Sequence, residues 1–552
     1  TERIAILIDG VPANSARSGE FDVSQIDLNS VERVEVIYGG SDTKYNVSGA
    51  LGGVINIITV KKQEPGLSLG GTVSNTAYGT GSYNRKGAVE EPHYEDLVDT
   101  QRVDVFAGYG WEKVSLRLNW FGTRAANHYL YEDYYGFARR KQSNEVWDTG
   151  LGGTVILDLP KAATLSSATR LYVAKKQYPV TGVSEGYGLE RDFSLKETLS
   201  FHAPVIFRED LETEASLSYA LNVMRYAEIS EGSDHGLTLI NRWHWYPSRS
   251  VTVRGGIDFR YIAVDSSETT GTSGTLAGIY GTFEYSPLPV LLFIGSVKAA
   301  TDAEQGVLVP KLGLRWQALD GLTLKNNYFR SFKFPDFDDL FYRSADGLYR
   351  GNPELEPEDG WGADVTCEFR LNDRFAGSST VYVQYTEHSI HWVKHGLYWT
   401  PENVGTGFFT GFDFRPTLTL PVDAGPFKRV VFGWNYQIQI SWFLTDDLSF
   451  GDSLRIPYMP AHILGGSVEA VWTSGSFLIS AHYESLRYAD TGNRMELAPY
   501  CLLNLTINQN IGRTWTVFAV VRNGFNQLYT SFAEYPMPGI SFTLGLRSRR
   551  LF

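Results

Sequence analysis

The residues of this chain best suited to chemistry are recognition groups, and they sit on long connecting segments. Between Ala125 and Asn144 lie His128, Tyr129, Tyr131, Tyr134, Tyr135 and Phe137. So many aromatic rings on one loop are costly to expose unless they pack on one another or on a ligand. Tyr342, Tyr349, Trp392 and Trp399 are candidates for the same recognition surface, with membrane-interface anchoring as the competing use of the two Trp. The acidic residues Glu132, Asp133, Glu185, Glu190, Asp192, Glu231 and Asp234 are a possible source of oxygen ligands for loop Ca²⁺, which takes six to eight of them. No dense Asp cluster accompanies them, so solvated charge is the favoured reading. Catalytic constellations are missing: there is no HExxH, P-loop or CxxC, and the chain does not read as an enzyme.

Composition narrows what can position such groups. Aromatics make up 14% of the 552 residues, Gly is frequent at 55, and charged residues are a modest 20%. That mixture fits many strands joined by turns. A net charge of -13 supplies no basic surplus for a nucleic-acid partner. Two cysteines, Cys367 and Cys501, make no disulfide framework and are expected to stay unbridged. No apolar run is long enough for a helical membrane span.

From about residue 64 the chain repeats an alternating run, a turn and another alternating run. In 431–442, Phe432, Trp434, Tyr436, Ile438, Ile440 and Trp442 share one face, and Asn435, Gln437, Gln439 and Ser441 the other. Val114, Leu116, Leu118 and Trp120 alternate likewise with Ser115, Arg117 and Asn119. Each strand therefore has one oily and one polar face. Short links (111–113, 372–374, 473–475, 512–513) take turns with long ones (78–100, 125–144, 333–360, 444–460). Short turns on one rim and long loops on the other predict a closed, all-β transmembrane antiparallel barrel of about 22 strands. Residues 63–552 are assigned to it. Trp243, Trp245 and Tyr246 suit an interfacial girdle.

The first 62 residues read differently. Ile4, Ile6 and Ile8 lead into Asp9-Gly10-Val11-Pro12, and Val31–Ile37 and Gly49–Thr59 (GALGGVINIIT) follow, as short buried strands with Gly hinges. Their order and spacing resemble the second half of the plug domain of TonB-dependent outer-membrane receptors. Ser331-Phe332-Lys333-Phe334-Pro335 followed by Gly351–Glu358 (GNPELEPE) resembles the long central loop of that family. Glu402–Gly405, Arg455–His462, Tyr535–Gly539 and a C-terminal Phe552 add to the likeness, which covers nearly the whole chain.

The resemblance implies a partial plug, residues 1–62, inside the barrel lumen. It implies active import: ligand docks on loops and plug apices, and the TonB–ExbB–ExbD complex supplies the work that moves the plug. Pro12–Asp22, with Asn14, Ser15, Arg17 and Ser18, corresponds to a ligand-facing plug loop. Ferric siderophore or cobalamin is the expected cargo; no His lies within Phe332–Pro353, which disfavours haem. A passive porin is the alternative, and plug motifs oppose it. Two departures stand out. Family plugs usually read Arg-Gly-Pro after the VEV strand, where this chain has Tyr38-Gly39-Gly40, so a carboxylate such as Glu358 needs another partner. The first plug half, its TonB-gripped segment and a signal peptide are not in this sequence, so the natural chain is expected to continue upstream of Thr1.

Overall fold

A computed structural model describes the chain apart from residues 1–2, 16, 39–46, 61, 80–96, 133–137, 142–143, 180–186, 228–229, 270, 423–424, 444–453 and 549–552. Twenty-two strands form one closed barrel, sequential neighbours pairing antiparallel from Gly66–Tyr78 to Ser541–Ser548. Closure is made where Ser541 pairs with Tyr78 and Ser548 with Gly71. Closing the sheet removes the edges that would leave backbone groups unpaired in lipid.

The alternation read from sequence is the inside–outside pattern of the wall. On strand Ser230–Ser248, Leu237, Leu239 and Trp243 face outward and are exposed, whereas Asp234, Thr238 and Arg242 are buried toward the lumen. This inverts a water-soluble barrel, as the lipid-facing band of a membrane barrel requires.

The two rims differ, with one refinement to the expected asymmetry. Connections 111–113, 249–250, 320–321 and 473–474 are tight turns on one rim. On the other rim, 79–99, 126–145, 334–357 and 523–540 are long, but 227–229, 267–271 and 302–305 are short. There the strands themselves run on. Ser230–Ser248 has 19 residues, where roughly 9–11 suffice to cross a bilayer.

Inside the barrel lies a separate four-stranded sheet of β1 (Ile4–Ile8), β2 (Val11–Pro12), β3 (Val31–Tyr38) and β4 (Gly53–Thr59), in the order β2-β1-β4-β3. β1 runs parallel to β4; the other pairs are antiparallel. Ile8 pairs with Val11, so Asp9-Gly10 is a two-residue hairpin loop, and both residues have positive φ. Asp-Gly is the pair suited to that turn. Ala5, Leu7, Ala50 and Val54 form the buried core of this unit. Cys367 and Cys501 are both unbridged, on strands six positions apart around the wall.

Candidate functional site

The central loop motif is built as a socket for the inner sheet. Phe332 and Phe334 pack with Ala300 and Val309 in a buried cluster. The Phe334 backbone N–H donates to Ser48 Oγ at 3.0 Å, and Gln384 Nε2 donates to the Leu51 carbonyl at 3.0 Å. Lys333, almost fully buried, bonds Asp336 at 2.7 Å. The carboxylate of Glu358 is sealed from solvent and pairs with Arg3 at 2.6 Å while accepting the Ile390 N–H at 2.7 Å. The partner left open by Tyr38-Gly39-Gly40 is therefore Arg3, on the turn that enters β1. Gly39 and Gly40 lie outside the described residues.

Further ties fix the turn end of the sheet. Arg242 donates to the Gly10 carbonyl at 2.8 Å, Lys196 to that of Pro12 at 2.8 Å, and Arg260 to that of Asn14 at 2.9 Å. Carbonyl acceptors met by buried cations hold backbone position without any sequence demand on the plug side chain.

Above these ties, a cavity of about 580 Å³ opens between the loop 13–26 and the barrel wall. Its wall residues Lys176, Tyr178, Glu190, Asp192, Asn222 and Asp234 stand near strand ends on the long-loop rim. Asn14, Ser15, Arg17 and Ser18 all line it. Their uses differ. The Asn14 amide is spent on the loop itself, accepting from the Ile6 N–H at 2.7 Å and donating to the carbonyls of Ile4 and Gly19. Ser15 Oγ donates to Asp234 at 3.2 Å. Arg17 reaches Asp338 at 3.4 Å, on the short helix Phe337–Phe341 of the central loop. Close approach of the two loops is enforced at Gly19, where φ is +70° and a Cβ would lie 2.5 Å from Asp336 Oδ2.

The charge centre of the cavity is Lys176, with Asp22 at 2.7 Å, Asp192 at 2.6 Å and Glu190 at 3.4 Å. Burial pushes the Asp22 carboxyl up, but its bonds to Lys176 and Ser24 win and hold it below its ordinary value. Asp338 goes the other way: burial, with Asp339 and Glu268 nearby, outweighs Arg17 and raises it to about 6. Lys176, Lys196 and Arg260 escaped the sequence reading. Their signal was the polar face of each alternating strand close to the long-loop rim, which becomes a site only once the barrel curls.

The described aromatic candidates separate into two groups, and none of them lines the cavity. Tyr129 is buried against Tyr78, and its hydroxyl donates to the Pro536 carbonyl at 2.9 Å, so it braces the loop rather than presenting a free surface. Tyr131 stacks under the Lys141 ammonium. Tyr134 and Tyr135 lie outside the described residues, as do Asp133, Phe137 and Glu185. Tyr342, Tyr349, Trp392 and Trp399 do come together: Trp392 meets Tyr342 at 6.2 Å and Tyr349 at 5.9 Å, and Tyr349 stacks on Trp399. Trp392 and Trp399 sit on a hairpin of Ile390–His395 and Tyr398–Asn403 that is not part of the wall, so they are not girdle residues. Four of the loop carboxylates considered for Ca²⁺ have protein partners. Glu190 and Asp192 flank Lys176, Asp234 accepts from Ser15 and Asn222, and Glu231 pairs with Arg225.

Comparison with known proteins agrees with this architecture. Residues 43–523 match the model of the TonB dependent receptor-like beta-barrel, and residues 1–54 that of the TonB-dependent receptor plug domain. The chain is 23% identical to the vitamin B12 transporter BtuB of Photobacterium profundum over 97% of this chain and 82% of that protein. It is 25% identical to BtuB of Vibrio vulnificus, over 76% of this chain and 66% of that one. The fold superposes on the ferric enterobactin receptor PfeA of Pseudomonas aeruginosa with a TM-score of 0.78 at 17% identity, covering 99% of this chain and 91% of PfeA. It also matches the siderophore receptor PirA of Pseudomonas aeruginosa, with a TM-score of 0.75 at 14% identity over 99% and 91% of the two chains. These relatives are receptors and transporters, not enzymes. A plugged 22-stranded barrel, matched over most of its length by the barrel model and over its first residues by the plug model, belongs to the TonB-dependent receptor family.

Proposed function

We propose that this chain captures a scarce, chelated nutrient at the outer membrane and delivers it to the periplasm with work supplied by TonB–ExbB–ExbD. The observation that carries the reading is the cavity at Lys176. It is walled on one side by the plug loop 13–26 and on the other by the barrel, so cargo held there touches the element that must move. Cobalamin-type cargo is favoured over ferric siderophore, because sequence likeness runs to vitamin B12 transporters whereas the siderophore receptors share only the fold. Donors (Lys176, Arg17) and acceptors (Asp22, Asp234) both line the cavity, which suits an amide-bearing ligand. The aromatic group at Tyr349 and Trp392 forms an outer platform that reaches the cavity through Arg17 and Asp338.

A passive porin is disfavoured by the ties at Arg3, Arg242, Lys196 and Arg260, which fasten the plug across the lumen. The test is equilibrium binding of cobalamin, haem and a ferric siderophore panel to the protein in detergent. Saturable binding of one chelate, weakened by Arg17→Ala, is expected. No saturable binding of any would oppose the reading.

A further inference from the structure

A second group of chemically competent side chains lies far from the cavity, at the short-turn rim. Strands Tyr187–Ala203, Leu211–Tyr226 and Ser230–Ser248 are neighbours in the wall. Their registers place His202 opposite Glu214 and Glu212 opposite His244. All four belong to the inward-facing set, continuing the rows that hold Ser200, Ser216 and Arg242. Two imidazoles and two carboxylates thus form a checkered patch inside the periplasmic mouth, one inward step beyond the Arg242 contact with Gly10.

The distances are informative. His202 Nδ1 is 3.8 Å from Glu212 and 3.9 Å from Glu214, and His244 Nδ1 is 3.8 Å from Glu212. These separations are too long for hydrogen bonds. They are only slightly wider than the ~3.4 Å between two ligands that each sit about 2.1 Å from one tetrahedral ion. Ligand atoms of His202, Glu212 and Glu214 all fall within 4.8 Å of one another, the one such trio among the described residues. Glu212 also accepts the Tyr246 hydroxyl at 3.3 Å, which steadies its carboxylate as a second partner does at metal sites.

We propose that His202, Glu212, Glu214 and His244 bind a divalent transition-metal ion of the zinc class. Imidazole nitrogen with carboxylate oxygen selects Zn²⁺ or its neighbours over Ca²⁺ and Mg²⁺, which take all-oxygen sets. The ion would staple three adjacent strands at the periplasmic mouth. The inference is independent of which cargo the receptor carries.

The test is titration of chelator-stripped protein in detergent with Co²⁺, read by its visible ligand-field bands, then with Zn²⁺ against a competing chelator. Co²⁺ bands of tetrahedral intensity, displaced by one equivalent of Zn²⁺, are expected. His202→Gln with His244→Gln should weaken that binding at least about 100-fold, more than loss of an outer-shell partner does. His395→Gln with His482→Gln should leave it intact. Heat-modifiable mobility on SDS gels reports whether each variant is a folded barrel, and Glu212→Gln serves if the double His variant is not. Metal binding of equal affinity in the wild type and in the folded His202 or Glu212 variants would overturn the proposal. So would the absence of bound Co²⁺ in the wild type, or saturation by Ca²⁺ that Zn²⁺ does not displace.

Discussion

Arg3 and Glu358, 355 positions apart in sequence, meet at 2.6 Å where the inner sheet enters its socket. Glu358 is sealed while Arg3 remains 38% exposed. The asymmetry decides the consequence of breaking the pair. Arg3→Ala strips the buried carboxylate of its ion-pair partner and leaves it the Ile390 N–H, a loss on the order of 1–3 kcal/mol. Backbone amides of β1 should then exchange with deuterium about 10–100-fold faster, while wall strands keep their protection. Unchanged β1 exchange would show that the pair does not hold the plug.

The Arg17–Asp338 contact predicts a pH dependence at the junction of plug and central loop. The Asp338 carboxyl is raised to about 6, chiefly by burial. Its folded value lies above its unfolded one, so the docked loop loses stability as pH rises from about 4 through 6, and the loss is complete above that window. Deuterium uptake in 334–345 should increase from pH 4.5 to pH 7, after correction for intrinsic rates, and Asp338→Asn should remove the increase.

His391 predicts the opposite sign on the neighbouring hairpin. Burial first, and then the Arg3 charge, lower its imidazole to about 4, despite the pull of Glu358. It stays neutral in the folded state, so hairpin stability present above about 6.5 is lost as pH falls toward 4. Tryptophan fluorescence of the hairpin, compared between wild type and His391→Gln, should show an acid transition in the wild type alone.

Much of the frame was legible in the sequence because a membrane barrel writes its inside and outside into a period of two. Leu116, Leu118 and Trp120 could be assigned to one face and Ser115 and Arg117 to the other without coordinates, and the structure exposes Leu118 and Trp120 while it buries Ser115 and Arg117; the Asp9-Gly10 hairpin was equally local. The site was legible only on its plug side. Lys176 and Asp22 are 154 positions apart, and nothing on the strand around Lys176 separates it from other inward polar residues. Asn14 shows the converse. Its type and place suggested ligand contact, yet its amide is consumed by β1 and Gly19, a choice made by loop curvature. Trp392 and Trp399 misled as girdle candidates because a hairpin outside the wall alternates just as a wall strand does.

Lys176 is the sole cation bonded to Asp22, Glu190 and Asp192 among the described residues. Lys176→Met should leave three carboxylates facing one another and splay the loop 13–26 away from the wall. Ligand affinity should fall by at least about tenfold, or 1.4 kcal/mol. Asp192→Asn should cost less, since Lys176 keeps two partners. Isothermal titration of both variants checks the order, and equal affinities would place the ligand elsewhere.

Cargo bound beside the plug should cross only when the plug is worked by TonB. Uptake of radiolabelled cobalamin, with labelled ferric siderophores in parallel, is to be measured in cells expressing the full-length gene product with and without TonB. A packed plug fastened by Arg3, Arg242, Lys196 and Arg260 should open rarely without applied work. One chelate should accumulate in TonB-positive cells, with surface binding but no accumulation in TonB-negative cells. Equal accumulation in both would contradict TonB-driven import and identify a leaky channel.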